Sequence, residues 1–379
     1  MLSKLRVQHY KSLFDTEVDL EPLTVFIGPN GSGKSNICEA LSLISRFLAD
    51  VNIVLQNPNS VFDSLNSSLQ SLTNKQQRIQ SKFWHGIEDY FLFEISTLVK
   101  VDQSVIPDFS PFQNLSICFN YLMGSAAVDS VDITDTFKLR QFFAGRYYDG
   151  SPIENALKEV KVYDFAPINL SNNTPSNTME KNGQGIAYAL VDILHSNREG
   201  FDELEERLRQ LVPNIKKISL PRGDNQTFSL ELIDKYSEHH IPASDISDGT
   251  LRILAFLTAI YQEETPSIIC FEEIENGVHP WLLSKMMELL KIVSTEGITG
   301  KTVQILITTH SPVLLNYVEP YQVRAVELDD EGKTQVHALP TDSVRFQKAL
   351  EAYDGSLGEL WFTNIFGGNP KCFVRSGLD

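Results

Sequence analysis

The sequence predicts an α/β fold in which a mostly parallel sheet is flanked by helices. Residues 23–27 have the apolar pattern of a strand, a glycine-rich turn follows at 28–33, and helical spacing covers 36–48. The short apolar runs 267–271 and 303–308 are typical of buried parallel strands. Strands that alternate with helices along a chain favour a parallel sheet.

Other patterned segments predict elements around this sheet. Strands are predicted at residues 2–9, 91–99, 114–121, 159–165 and 226–233, some of them in an antiparallel β lobe. Helices are predicted at residues 185–196, 201–211, 251–262 and 281–293, the last as a crossover between the two apolar runs. Residues 51–82, rich in Asn, Gln and Ser, predict an irregular or helical insertion, and residues 171–182 predict a polar loop.

These elements predict a division of the chain into three parts. Residues 1–50 and 226–340 form the core, residues 51–225 form a mixed α/β insertion, and residues 341–379 form a C-terminal extension packed on the core. The sequence has no internal repeat and no long heptad array. A coiled-coil arm is therefore not expected in this chain.

The composition is that of a globular, acidic protein. Of its 379 residues, 42% are apolar and 21% are charged, and the formal net charge is −17. This charge disfavours overall electrostatic attraction to nucleic acid or to an anionic membrane. A local basic patch is still compatible with it. The sequence has no run of about 18 apolar residues, and residues 1–6 lack a signal-peptide pattern, so we expect a cytoplasmic protein without a membrane span.

The four cysteines, Cys38, Cys118, Cys270 and Cys372, are scattered without CxxC spacing. This distribution disfavours both a zinc site and a disulfide framework. Cys38 and Cys270 have apolar sequence neighbours, and we expect both to fill the core.

Residues 28–35 fit the phosphate-binding pattern GxxxxGK[ST] between a strand and a helix. Its glycines let backbone N–H groups converge on phosphate oxygens, and the helix N-terminus adds positive potential. In this pattern Lys34 reaches the β- and γ-phosphates, and the hydroxyl of Ser35 binds Mg²⁺. The predicted nucleotide-binding residues here are Gly28, Pro29, Asn30, Gly31, Ser32, Gly33, Lys34, Ser35 and Asn36. The alternative is a glycine-rich turn that only precedes a helix.

Two carboxylates, Glu272 and Glu273, follow the apolar run 267–271. Adjacent residues of a strand point to opposite sides. We therefore predict that Glu272 holds Mg²⁺ and that Glu273 polarises the attacking water. Asp is the usual residue at the metal position, so the side chain of Glu272 is one methylene longer. The alternative is a solvated acidic strand end.

Three further residues lie where predicted elements begin or end. Ser247 and Gly249 precede the helix 251–262, and a serine and a glycine at a helix start either bind phosphate or cap the helix. His310 follows the run 303–308, where it would face the ligand crevice of an α/β sheet and hydrogen-bond the γ-phosphate. The alternative for His310 is a loop histidine satisfied by its neighbours.

The order of these motifs resembles ABC-type ATPases, and within them the RecF/SMC/OLD-like branch. Similar segments are the opening at 5–13, the signature at 246–250, the acidic segment 272–280, which is similar to EEPEnglHP, and the tail at 355–368. Two residues depart from the patterns: Asp248 replaces a Gly of the transporter signature LSGGQ, and Ile274 replaces a Pro. The resemblance implies a P-loop NTPase fold of the ABC-ATPase head type.

The resemblance also implies hydrolysis of ATP to ADP and phosphate by two heads that sandwich the nucleotides. Ser247 and Gly249 would contact the nucleotide of the partner head, and His310 that of its own head. The implied catalytic residues are Lys34, Glu273 and His310, and the implied metal ligands are Ser35 and Glu272. The family pattern includes a Q-loop glutamine, for which Gln80 is the candidate. The 69 residues after His310 are too few for the Toprim nuclease domain of OLD-like proteins.

Two functions stay open. The first, favoured by the resemblance, is an ATPase of DNA repair or phage defence that binds DNA, with any nuclease activity supplied by a partner. The second, favoured by the acidic charge, is an ATP-gated regulatory switch that controls a partner effector without direct DNA binding. A transporter subunit is disfavoured by the sequence at 247–249 and by the large insertion. A P-loop kinase is also disfavoured, because a kinase needs no signature motif and this sequence has one.

Six basic residues form a candidate DNA contact. They are Arg198, Arg207, Arg209, Lys216, Lys217 and Arg222. Three carboxylates, Glu203, Glu205 and Glu206, interleave with them. The alternative is therefore a solvated helix of mixed charge.

Overall fold

The computed structural model describes residues 1–55, 90–98, 112–122, 125–133, 156–172, 175–176, 178–223, 227–262, 266–298 and 300–367. The chain divides into two compact units. The first comprises residues 1–160 and 318–379, and the second comprises residues 161–317. Over the described residues, no helix has both the length and the apolar character needed to cross a membrane.

The elements in the described part of the chain are as follows. The strands are β1 (Leu2–Tyr10), β2 (Leu13–Asp19), β3 (Leu23–Ile27), β4 (Tyr90–Leu98), β5 (Phe112–Leu122), β6 (Ser125–Ile133), β7 (Val160–Tyr163), β8 (Ile215–Ser219), β9 (Glu231–Asp234), β10 (His240–Pro242), β11 (Ile268–Glu272), β12 (Gln304–Thr309), β13 (Val323–Leu328) and β14 (Thr334–Ala338). The helices are α1 (Lys34–Leu55), α2 (Pro167–Leu170), α3 (Ile186–Ser196), α4 (Arg198–Leu211), α5 (Asp248–Tyr261), α6 (Pro280–Thr295), α7 (Pro312–Leu315), α8 (Val344–Ala352) and α9 (Leu357–Phe362). Short 3₁₀ turns cover Ala243–Asp245 and Pro320–Gln322.

The first unit contains an antiparallel sheet in the order β2-β1-β4-β5-β6. Arg6 on β1 connects the strands on both sides, because its guanidinium donates to Asp15 of β2 at 2.8 Å and to Glu94 of β4 at 2.9 Å. This sheet confirms the predicted antiparallel β lobe.

The same unit carries the strand, turn and helix predicted near the N-terminus. All five residues of β3 are buried, and β3 pairs in parallel with β13, which pairs antiparallel with β14. α1 buries Ile37, Leu41 and Ile44 on one face, as the helical spacing predicts. The helix is longer than predicted, since it begins at Lys34 and continues to Leu55.

In the second unit, β11 and β12 are parallel neighbours whose register sets Glu272 opposite Thr308. α6 is the predicted crossover between them. The ring of Phe271 on β11 lies 6.0 Å from that of Tyr163 on β7 and 5.3 Å from that of Phe256 on α5. Aromatic packing therefore joins α5 and β7 to the strand that ends in the acidic pair. A separate antiparallel sheet has the order β10-β9-β8.

Cys38 and Cys270 are fully buried, which confirms both as core residues. The strand predicted at 226–233 is wrong in extent. Only Glu231–Asp234 forms β9, while Phe228 makes a single bridge to Arg222. The backbone N–H of Phe228 donates to the hydroxyl of Tyr188 at 3.3 Å, so a side chain takes the place of a ladder partner there.

Candidate active site

The turn between β3 and α1 has glycines where a side chain would not fit. Gly31 and Gly33 have φ values of 77° and 104°, in the left-handed region that favours glycine. A Cβ on Gly28 would lie 2.0 Å from the carbonyl oxygen of Val326 on β13, and one on Gly33 would lie 2.1 Å from Oγ1 of Thr334 on β14. The turn therefore lies directly against the β13–β14 hairpin.

A group of hydrogen bonds supports this turn, and the sequence patterns do not predict it. The buried hydroxyl of Thr334 donates to the carbonyl oxygen of Ser32 at 2.9 Å and lies 2.7 Å from the hydroxyl of Ser12. Asn36 on α1 donates from Nδ2 to the same Ser12 oxygen at 2.7 Å. Ser12 belongs to the opening segment 5–13 of the family resemblance, which is the sequence signal that could have identified it.

Lys34 begins α1 and is only 5% exposed. Its Nζ donates to the carbonyl oxygens of Gly28 and Pro29, both at 2.8 Å, so the ammonium is held over the turn itself. Asn30 and Ser35 are exposed on the same turn. A cation, a helix N-terminus and an exposed hydroxyl are the groups that the phosphates and metal of a nucleotide require, so this part of the chain fits such a ligand.

Glu272 is the last residue of β11, and its side chain is 8% exposed. Its Oε2 lies 2.7 Å from Nζ of Lys181, which comes from the predicted polar loop. Its Oε1 is buried and has no hydrogen-bond partner. A buried carboxylate oxygen without a partner is costly. An oxygen without a partner is compatible with the metal role predicted for Glu272, which stays a prediction.

Glu273 lies just beyond β11 with φ of 49°, a strained backbone for a residue with a side chain. Its N–H donates to the carbonyl oxygen of Thr308 at 2.9 Å. Its Oε1 lies 2.8 Å from Nε2 of His310, and its Oε2 accepts from Nδ2 of Asn276 at 2.6 Å. The structure thus brings together Glu273 and His310, which are 37 residues apart, and adds Asn276, which the sequence patterns did not identify.

Ser247 is the N-cap of α5. Its Oγ accepts from the N–H of Thr250 at 3.4 Å and donates to the hydroxyl of Thr250 at 2.9 Å. A Cβ on Gly249 would lie 2.8 Å from the carbonyl oxygen of Gly277, so the helix start packs closely on the turn that follows Glu273. The capping alternative is confirmed, and it leaves Ser247 exposed at the helix start.

Two family models match the chain. One, described as "AAA ATPase domain", matches residues 1–182. The other, described as "AAA domain, putative AbiEii toxin, Type IV TA system", matches residues 132–316. Between them they cover the P-loop, the signature, the acidic pair and the strand-end histidine. The protein is an ATPase.

Solved structures share the fold of the chain, and a curated relative matches one short segment of it. An SMC head bound to the C-winged helix domain of ScpA has a TM-score of 0.58 at 15% identity, over 90% of this chain and 99% of the other. A Pyrococcus furiosus Smc head with an extended coiled coil, bound to the C-terminal domain of ScpA, has a TM-score of 0.50 at 15% identity, over 93% and 99%. An OLD nuclease of Thermus scotoductus is 43% identical over 44 residues. The SMC head-like fold and the short match to an OLD nuclease agree with the resemblance to the RecF/SMC/OLD-like branch.

The ATPase has the SMC head-like α/β fold, which is what structural similarity at such low identity establishes. The match to the OLD nuclease covers 12% of this chain and 8% of the relative's length, so the chain matches only a small part of that relative. Gln80, the candidate Q-loop residue, lies outside the described residues.

Most of the six basic side chains in the candidate DNA contact form ion pairs with carboxylates. Arg198 pairs with Asp202, Arg207 with Glu203, Arg209 with Glu205 and Glu206, and Lys216 with Glu238. These side chains are largely solvent-accessible, and such pairs are typical of a surface of mixed charge. The described contacts therefore favour the solvated-helix alternative.

Because Lys181 pairs with Glu272, we expect it to compete with a metal ion for this carboxylate, and its removal tests this. In a Lys181→Ala variant, we expect the nucleotide-free protein to bind Mn²⁺ about fivefold more tightly, the effect of losing about 1 kcal/mol of competing attraction. Electron paramagnetic resonance titration of free Mn²⁺ measures this affinity. Lys216→Ala, which breaks an exposed ion pair with Glu238 in the same unit, is the matched control. Equal affinities in all three proteins would contradict the expectation.

Proposed function

We propose that the ATPase hydrolyses ATP with Mg²⁺ as an ATP-dependent homodimer. The observation that carries the proposal is the pairing of Glu273 with His310, next to a carboxylate oxygen of Glu272 that has no partner. A held carboxylate suited to orienting water and a second one suited to a cation are two of the groups that phosphoryl transfer to water uses on the protein side.

In the proposed reaction, Lys34 balances the negative charge of the β- and γ-phosphates. Glu273 accepts a hydrogen bond from the attacking water and orients it, while His310 and Asn276 hold the two carboxylate oxygens. Ser35 and Glu272, the metal ligands that the sequence predicts, would hold Mg²⁺. When bound, the metal neutralises charge that develops on the phosphates.

For the dimer, we propose that the start of α5 contacts the nucleotide held by the partner. Ser247 and Asp248 are exposed, whereas the rest of the helix from Leu251 to Tyr261 is mostly buried. An exposed helix N-terminus has positive potential that suits a phosphate. In this proposal, residues 1–50 and 226–340 form the ATPase core, with 51–225 as an insertion and 341–379 as an extension.

The variant Ser247→Arg tests the proposed dimer. We expect nearly normal ATP binding by the monomer but no ATP-dependent dimer and no turnover, because the added side chain would clash across the two-head interface. Light scattering coupled to chromatography, with and without Mg-ATP, measures the dimer. The effect should be clearest in a Glu273→Gln background, in which intact ATP holds the dimer closed.

Two further variants separate this effect from simpler ones. Ser196→Arg places the same cation on an equally exposed serine at the end of α3, and we expect it to behave as the unmodified protein. Ser247→Ala removes only the cap, at a cost of about 1 kcal/mol in stability. If Ser247→Arg dimerises and hydrolyses ATP normally, Ser247 is a helix cap alone and the shared site must be abandoned.

We propose phage defence or DNA repair as the setting of this activity. The proposal is supported by the type IV toxin–antitoxin wording of one family description and by the nuclease name of the matched relative. The alternative is a regulatory switch that acts on a partner effector without binding DNA. It is favoured by the net charge of −17 and by the carboxylate-paired cations of α4.

A DNA-binding titration at several salt concentrations separates the two settings. Direct binding would weaken steeply as salt rises, since phosphate contacts release counterions. The regulatory switch predicts no binding at any salt concentration, with or without ATP.

A further inference from the structure

Glu275 joins the two loops that carry the proposed catalytic pair. Its Oε1 accepts a hydrogen bond from the hydroxyl of Thr309 at 2.6 Å and another from the backbone N–H of His310 at 3.0 Å. Thr309 is fully buried at the end of β12, and its Oγ1 also accepts from the N–H of Ser311 at 2.9 Å. One carboxylate oxygen thus organises the backbone on both sides of His310.

We propose that Glu275 is a positioning residue for ATP hydrolysis, which acts by holding His310 in place against Glu273. The inference rests on the roles proposed above for His310 and Glu273. It adds a function for a motif residue to which neither the sequence patterns nor the ATPase assignment gave a role.

Glu273, Glu275 and His310 form a closed path of contacts. Glu273 and Glu275 belong to the same turn after β11. Glu275 fixes the backbone of His310, and the imidazole of His310 returns to Glu273 at 2.8 Å. A closed path leaves little freedom, because a shift of the His310 backbone must lengthen its contact with Glu273. A misplacement of about 1 Å at a reacting centre costs roughly 100-fold in rate.

The other oxygen of Glu275, Oε2, is buried without a hydrogen-bond partner. A carboxylate kept with an unsatisfied buried oxygen is not what stability alone would favour, since that oxygen costs free energy. The turn instead retains an acceptor strong enough to bind a hydroxyl and an amide at one atom. The buried oxygen lowers the stability of the fold, while the other oxygen fixes the position of His310, and such a local cost is expected of a functional site.

A double-mutant cycle with steady-state kinetics tests the inference. Glu275→Ala should lower kcat about 10- to 100-fold and leave KM for ATP within about twofold, because the effect lies at the reacting centre. Glu275→Gln keeps an acceptor oxygen and should restore kcat to within about threefold of the unmodified protein. In the double variant Glu275→Ala/His310→Ala, kcat should equal that of His310→Ala alone, since both changes remove the same contact.

Controls keep folding and catalysis apart. Glu288→Ala removes an exposed carboxylate that pairs with Lys285 in the same unit and should leave kcat unchanged. Thermal melting checks each variant. If Glu275→Ala does not fold, Thr309→Val and Thr309→Ser replace it. The first loses the hydroxyl that donates to Glu275 and should lower kcat, while the second keeps it and should not.

Different results would overturn the role of Glu275 and the proposed function on which it rests. If His310→Ala hydrolyses ATP at the normal rate, the proposed role of His310 fails. If His310→Ala is slow but the two losses multiply in the double variant, Glu275 acts independently and the inference is overturned. A Glu275→Ala protein with normal kcat would overturn it as well.

Discussion

A Lys34→Ala variant should bind ATP at least about 100-fold more weakly than the unmodified protein, a loss of about 3 kcal/mol. Lys34 is the P-loop side chain that carries a cation, and its Nζ already lies over the turn, 2.8 Å from the carbonyl oxygens of Gly28 and Pro29. The backbone N–H groups and the helix N-terminus would remain, but they supply only partial charges. Isothermal titration calorimetry with ATP measures the affinity directly.

The same lysine also closes the turn, so folding must be checked separately. Lys4→Ala is a matched control, because Lys4 is an exposed lysine of the same unit that pairs with Glu17 on the antiparallel sheet. Both variants should show circular dichroism spectra like that of the unmodified protein, and only Lys34→Ala should lose ATP. Unchanged ATP affinity in Lys34→Ala would mean that residues 28–35 are a structural turn.

The second large effect is expected at Glu273. Glu273→Gln should keep ATP binding within about twofold and slow hydrolysis by about 100-fold or more, the scale of losing a general base. Glutamine has the same shape and still offers an oxygen, but it lacks the charge that polarises water. Single-turnover hydrolysis of radiolabelled ATP, together with calorimetry, separates the chemical step from binding.

Glu272→Gln is the natural comparison for this variant, because the two residues are neighbours with different contacts. Glu272 pairs with Lys181 and has a free buried oxygen, whereas both oxygens of Glu273 have partners. We expect Glu272→Gln to raise the Mg²⁺ concentration needed for half-maximal activity. Normal turnover in Glu273→Gln would transfer the water-orienting role to another residue.

The sequence predicts the strand, turn and helix around Lys34 and the strand ends that carry Glu272 and His310. These features are local, since a pattern of about ten residues is enough to indicate a buried strand or a glycine-rich turn. The fold confirms them with changes at the boundaries, such as the extension of α1 to Leu55. The catalytic and metal-binding roles of these residues remain predictions.

The contacts that support the site depend on tertiary structure. Thr334 supports the P-loop from a strand whose short sequence, Thr-Gln-Val-His-Ala, has no strong apolar pattern. Lys181 comes from a loop that the sequence describes only as polar, and its ion pair with Glu272 follows from packing. Asn276 and Glu275 lie in a recognisable motif, but their partners are set by the register of β11 and β12.

Because Thr334 supports the turn at residues 28–33, this turn cannot be completed during synthesis until Thr334 has been translated. The hydroxyl of Thr334 and the carbonyl oxygen of Ser32 are separated by 302 residues. At translation rates of about 5–20 residues per second, a nascent chain carries its P-loop sequence for about 15–60 s before this support is made. The turn at residues 28–33 is thus translated well before the strand residue whose hydroxyl supports it.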